Sequence, residues 1–154
     1  LTLVIARESP SRADLAHIFG RHTADMHADT PPESIHMMDS SALDTPEVHF
    51  FVLREKGVPI GMGAFKVFNG AEAEIKSMHV LTEHRGRGLS RLMLDHIVGQ
   101  ARAAGVTRLS LETGSQEMFL PARVLYEKAG FTVCPPFGDY VLDPMSVFMT
   151  RTLA

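Results

Sequence analysis

Ala73-Glu74-Ile75-Lys76-Ser77-Met78-His79-Val80, followed by Leu81-Thr82-Glu83-His84 and then Arg85-Gly86-Arg87-Gly88-Leu89-Ser90, is the stretch whose reading decides the fold. A strand feeds a basic glycine turn that opens a helix. From Gly88 the period changes, because Leu89, Leu92, Met93, His96, Ile97 and Ala101 fall on one helical stripe that closes at Gly105. Two glycines let the backbone approach a ligand closely. The first N–H groups of the helix lack internal partners and sit at the positive end of its dipole, so the geometry suits phosphate oxygens. Arg85 and Arg87 add charge where those donors point. A glycine pair alone also fits a solvated turn kept for chain reversal, so the motif gains its weight from context.

Working outward, Leu3-Val4-Ile5 reads as a short strand, with Ser9 as N-cap and Pro10 at the first position of a helix. Leu15, Ile18, Phe19, His22 and Met26 give that helix one buried face up to the break at Thr30-Pro31-Pro32, and a short helix is expected between Pro31 and Pro46. Val48 to Arg54, Val58 to Phe68 and Ala73 to Leu81 read as an antiparallel meander, its first two strands joined by Glu55-Lys56-Gly57. Val106 to Glu112 is a buried strand, Pro121 to Ala129 a helix, and Phe131-Thr132-Val133 and Ser146 to Thr152 are the last strands. The order βαα-βββ-αβαβ plus a final strand is a mixed α/β arrangement around one sheet.

The 154 residues suffice for one domain, read here as 1–154. With 45% hydrophobic and 21% charged residues the composition is globular. Lys and Arg total 15 against 18 Asp and Glu, a net charge of −3, which gives no support to nucleic acid or an anionic membrane as partner. No apolar run approaches the ~18 residues of a membrane span. One cysteine, Cys134, excludes an internal disulfide framework and a multi-cysteine zinc site and fits the cytoplasm. The sequence starts at Leu1, so an initiator region is expected ahead of it. His17, His22 and His27 are spaced by five and advance over different helix faces, unlike metal ligands three or four apart, so no metal is expected.

Two other phosphate-binding motifs compete with this reading of the turn. A Walker A loop has no matching string. A dinucleotide fingerprint would start at Gly86 and Gly88 with Glu112 as ribose acid, but its third glycine position is Arg91 and only one strand-helix unit follows.

Arg85-Gly86-Arg87-Gly88-Leu89-Ser90 resembles the signature of the GCN5-related N-acetyltransferase (GNAT) superfamily: Arg or Gln, two residues, Gly, one residue, then Gly or Ala, here Ser90. Ala122, Tyr126 and Gly130-Phe131 are similar to a second family feature, with Phe119 where an Asn is usual. Leu111 to Ser115 together with Cys134 to Tyr140 looks like a bacterial subgroup of poorly defined substrate. The resemblance implies a single-domain fold, its mostly antiparallel sheet holding one splayed parallel pair near Met78 to Val80 and Leu109 to Glu112. Acetyl-CoA would lie in that V, held by Met78, His79, Val80 and the turn from Arg85 through Gly86, Arg87, Gly88 and Leu89 to Ser90.

Transfer of an acetyl group to an amine needs a neutral amine, a stabilised oxyanion and a protonated leaving thiolate. The resemblance puts Glu74 at the base, directly or through water, Tyr126 at the acid, and a backbone N–H near Val80 or Met78 at the oxyanion. It places His27, Glu33, His36 and Glu112 around the acceptor, a small-molecule amine, and leaves a homodimer open. Glu74 and Lys76, two apart on one strand, share a face about 7 Å apart. They form either a plain ion pair or a site in which Lys76 holds an acceptor's carboxylate while Glu74 takes its amine proton. A silent acyl-CoA-binding sensor and a nicotinamide-dependent oxidoreductase are the alternatives to an enzyme of this kind.

Overall fold

Phe50 and Val52 point to one side of a sheet, Phe51 and Leu53 to the other, and two apolar cores follow from that alternation. The computed structural model describes residues 2–153. Its elements are β1 (Leu3–Arg7), α1 (Ala16–His27), α2 (Ser40–Leu43), β2 (Val48–Glu55), β3 (Val58–Asn69), β4 (Glu72–Val80), α3 (Leu89–Ala103), β5 (Arg108–Gly114), α4 (Leu120–Lys128), β6 (Thr132–Val133) and β7 (Ser146–Thr152). The strands form one sheet in the order β1-β2-β3-β4-β5-β7-β6. Every neighbouring pair is antiparallel except β4 with β5. On one face Met93, Leu94 and Ile97 of α3 and Tyr126 of α4 pack on Phe51, Phe65, Ile75 and Leu111. On the other, Leu15 and Ile18 pack with Leu43 on Phe50, Val52, Met62 and Ala64.

The element order and the meander agree with the sequence reading. The first helix does not start at Pro10. The Ser9 hydroxyl does accept the Ser11 amide (3.3 Å), but it closes only a local turn. Arg54 on β2 then holds Asp14 (2.7 Å) and Glu8 (2.8 Å), tethering this segment to the sheet, and α1 begins at Ala16 after a single 3₁₀ turn. A doubly wound dinucleotide fold is also set aside, since only one pair of strands is parallel.

One irregularity positions the site. Ala64 pairs with Lys76 and Met62 with His79, so Gly63 stands opposite both Ser77 and Met78. Ser77 has φ +58°, a left-handed conformation unusual for a non-glycine residue, and this is a β-bulge. The extra residue changes the parity of the strand. Lys76 and His79, opposite Ala64 and Met62, both lie on the α1 face, while Ile75, Met78 and Val80 pack on the α3 side.

Candidate active site

β4 and β5 pair only through Glu72, Ala73 and Glu74, opposite Arg108, Leu109 and Ser110. Beyond Glu74 the two strands part, and a cleft of about 510 Å³ runs between them, lined from both faces of the sheet. Strand edges that face it lack their usual neighbour, so their N–H groups are available to a ligand.

On the α3 face the glycine turn forms one end of the cleft. Gly86 and Gly88 have φ +80° and +76°, so their sequence positions demand glycine for the backbone path itself. A Cβ built on either would meet nothing within 4 Å, which shows that the turn borders open space. Leu92 makes the first amide bond of α3, to the Gly88 carbonyl (3.1 Å), so the amides of Leu89, Ser90 and Arg91 precede it at the positive end of a 15-residue helix. Arg85 braces the turn, donating to the Val80 carbonyl (2.9 Å) and pairing with Asp25 of α1 (3.2 Å). Tyr126 lines the same cleft from α4, buried, and burial pushes its phenol pKa up, so it stays protonated. Its hydroxyl has no protein hydrogen-bond partner among the described residues, which leaves it free for a ligand.

On the α1 face Glu74 belongs to a closed network. Tyr140, from the loop between β6 and β7, donates a short hydrogen bond to Glu74 Oε2. The Lys76 ammonium donates to the same oxygen (3.2 Å), to the Tyr140 hydroxyl (3.0 Å) and to the His36 carbonyl (2.9 Å). Burial and the adjoining Glu74 carboxylate raise the Tyr140 pKa and keep that proton in place. The expected ion pair between Glu74 and Lys76 is therefore present. The expectation that Lys76 holds a carboxylate meets an ammonium whose three hydrogens already have acceptors. Glu112 enters from β5, its Oε2 accepting from Ser146 (2.8 Å) and its pKa raised by burial. Farther along, His22 of α1 and His79 of β4 meet at 3.2 Å between Nδ1 atoms, both buried and both lowered by that burial to about 4.

The structure thus brings Glu74, Lys76, His36, Glu112, Tyr126, Met78, His79, Val80, Arg85, Gly86, Gly88, Leu89 and Ser90 to one cleft. Three residues singled out in the sequence are not on its lining. His27 and Glu33 are exposed, on the last turn of α1 and in the loop after it. Arg87 turns from the cleft to Glu55 at the end of β2 (2.6 Å). Tyr140, His22 and Asp25 line the cleft without having been given a role. Tyr140 lies in the Cys134 to Tyr140 run that carried the subgroup resemblance, which was the available signal. Phe119, in the place of the usual Asn, has its ring over the bare backbone of Gly114, where no Cβ would fit.

Residues 14–131 match the family model for the acetyltransferase (GNAT) family. The chain belongs to that family. Among its GNAT relatives, the uncharacterized N-acetyltransferase YsnE of Bacillus subtilis (strain 168) is 43% identical over 136 residues, covering 88% of this chain and 90% of the relative. The IAA acetyltransferase of Azospirillum brasilense is 38% identical, covering 98% of both chains. In fold, an acetyltransferase from Streptococcus agalactiae superposes with a TM-score of 0.78 at 20% identity over 99% of each chain. The PaiA N-acetyltransferase of Thermoplasma acidophilum, solved with coenzyme A, does so with a TM-score of 0.77 at 14% identity, over 99% of this chain and 100% of that one. The split between β4 and β5 and the glycine turn at the start of α3 are thus features of an acetyltransferase. None of the helices described is long and apolar enough to cross a membrane.

Proposed function

We propose that this GNAT protein acetylates a primary amine of a small molecule by direct transfer, with acetyl-CoA as donor. The observation that carries the reading is the continuity of one cleft from the open glycine turn, through the gap between β4 and β5, to Glu74 on the opposite face. The amides of Leu89, Ser90 and Arg91 and the bare glycines fit a diphosphate, and acetyl-CoA when bound supplies the acetyl group as a thioester.

The chain's own residues then divide the work. An N–H on the free edge of β4, at Met78 or Val80, stabilises negative charge developing on the carbonyl oxygen. Glu74 takes the amine proton on Oε1, directly or through one water, while Lys76 and Tyr140 hold Oε2. Tyr126 donates its proton to the departing sulfur, a role that suits a phenol kept protonated by burial. Direct transfer is supported by the position of Cys134, which is outside the cleft lining and has its thiol pKa raised by burial. A small acceptor is supported by the loops that wall off the α1 face. Ser34 is tied to Asp143 (2.7 Å), and Gln116 to the Asp29 carbonyl and the Thr30 hydroxyl (both 2.9 Å). The unpaired cysteine fits a reducing compartment, the cytoplasm.

Thermal unfolding with acetyl-CoA tests the donor site. At a hundredfold excess over its dissociation constant the ligand should stabilise the protein by about 2.7 kcal/mol. Gly88→Val should lose the shift, because valine strains the left-handed turn and puts a side chain where phosphate must approach. An equal shift with NADH, or an acetylated protein mass after incubation with acetyl-CoA alone, would count against this reading.

A further inference from the structure

Lys76, Arg85 and Arg91 are the Lys and Arg side chains on the lining of the cleft. The protein already engages each of them: Lys76 through three acceptors, Arg85 through the Val80 carbonyl and Asp25, and Arg91 through Asp95 at 2.9 Å. At the acceptor end Lys76 is the cation, 10% exposed, and it faces two carboxylates. One of them, Glu74, it shares with Tyr140. The other, Glu112, is partly buried with Ser146 on Oε2, and no protein donor among the described residues reaches its Oε1. Two carboxylates face one saturated ammonium, with the His36 ring as the other group beside Glu112 that can carry positive charge, so this end of the cleft is negative or at most neutral.

An acceptor that carries a carboxylate would bring a third negative charge into this partly desolvated space, where the ammonium of Lys76 has no hydrogen left to donate. Like charges in such surroundings repel strongly, and the carboxylate would also lose its hydration. An ammonium, in contrast, would meet the open oxygen of Glu112 and relieve the cost of its burial. We propose that the acceptor is a primary amine without a carboxylate, and that Glu112 determines this specificity by receiving its ammonium before Glu74 removes the proton. His36 and Tyr140, packed edge to face at 5.2 Å, then form the wall for the rest of the molecule. The inference rests on the acetyltransferase reading above. It reverses the amino acid acceptor that the pairing of Glu74 with Lys76 suggests in sequence.

Matched compounds test it: phenethylamine, phenylalanine and phenylalanine amide, then cadaverine and lysine. Each is assayed for CoA release with acetyl-CoA and for binding by calorimetry in the presence of CoA. The carboxylate-free member of each set is expected to have a kcat/KM, or failing turnover an affinity, at least about tenfold above its amino acid. Glu112→Gln, nearly isosteric, is expected to raise KM for the amines by about tenfold and to leave the amino acids unchanged or improved. Amino acids that match or exceed their amines would overturn the inference, as would equal losses for both in Glu112→Gln. So would silence across all the compounds while acetyl-CoA still stabilises the protein. Loss of that stabilisation in the wild type would instead overturn the donor-site reading, and its presence in Glu112→Gln shows the variant is folded.

Discussion

Tyr126 and Tyr140 are the two tyrosines of the chain, and the cleft separates their tasks. Tyr140 is bonded on both sides, to Glu74 and to Lys76, whereas the Tyr126 hydroxyl is left open toward the cleft. Tyr126→Phe keeps the ring that packs edge to face on Phe131 at 5.8 Å, so folding should survive. Turnover is expected to fall by roughly 10- to 1,000-fold, with acetyl-CoA affinity little changed. Steady-state kinetics beside a binding titration check this, and unchanged kcat would make Tyr126 a packing residue. At this scale the sequence is uneven as a guide. Tyr126 is legible because the Gly130-Phe131 that follows it is four residues away. The bond from Tyr140 to Glu74 spans 66 positions and depends on a loop without regular structure, so no local pattern announces it. Arg87 shows the converse: beside two glycines it reads as a ligand for phosphate, yet Glu55, 32 residues earlier, has its guanidinium.

Strands and helices whose signals are periodic were readable, as the meander from β2 to β4 and the stripe of α3 show. Their exceptions were not. The start of α1 is set by a salt bridge from the neighbouring strand and not by the capping residues in front of it. The bulge in β4 is invisible because Ser77 is an ordinary serine, and only its pairing opposite Gly63 shows the extra residue. That bulge permits a test at the scale of the element. Ser77→Gly suits φ +58° and should leave the acetyl-CoA thermal shift intact, whereas deletion of Ser77 should abolish it. Deletion restores simple alternation, so His79 or Lys76 must leave the α1 face and the path into the glycine turn rotates. An intact shift in the deletion variant would show that the bulge does not set the cleft.

For the molecule as a whole, the His22 and His79 pair links stability to pH. Burial lowers both to about 4, against about 6.5 in an unfolded chain, with Asp25 at 4.0 Å from His79 opposing the shift in part. The native state keeps the rings neutral, so their contribution is complete above pH 6.5. It is lost as pH falls toward 4, where the unfolded chain takes up protons first. The loss is on the order of 3 kcal/mol for each ring. Urea unfolding at pH 7.5, 6 and 4.5 should show it, with a shallower decline in His79→Phe; parallel declines in both proteins would assign acid sensitivity to the carboxylates.

The cleft that passes between β4 and β5 has a consequence for how such a protein can acquire a new substrate. What is proposed to hold the diphosphate of the donor sits on the α3 side, in a helix terminus and a turn whose backbone geometry tolerates little change. The proposed acceptor wall is built on the other side from two irregular segments, around His36 and around Tyr140, joined by a few side-chain ties. The sheet keeps the two apart. Remodelling either segment can therefore alter which amine is admitted while the handle for the donor, and the pitch at which it presents its cargo, stay as they were.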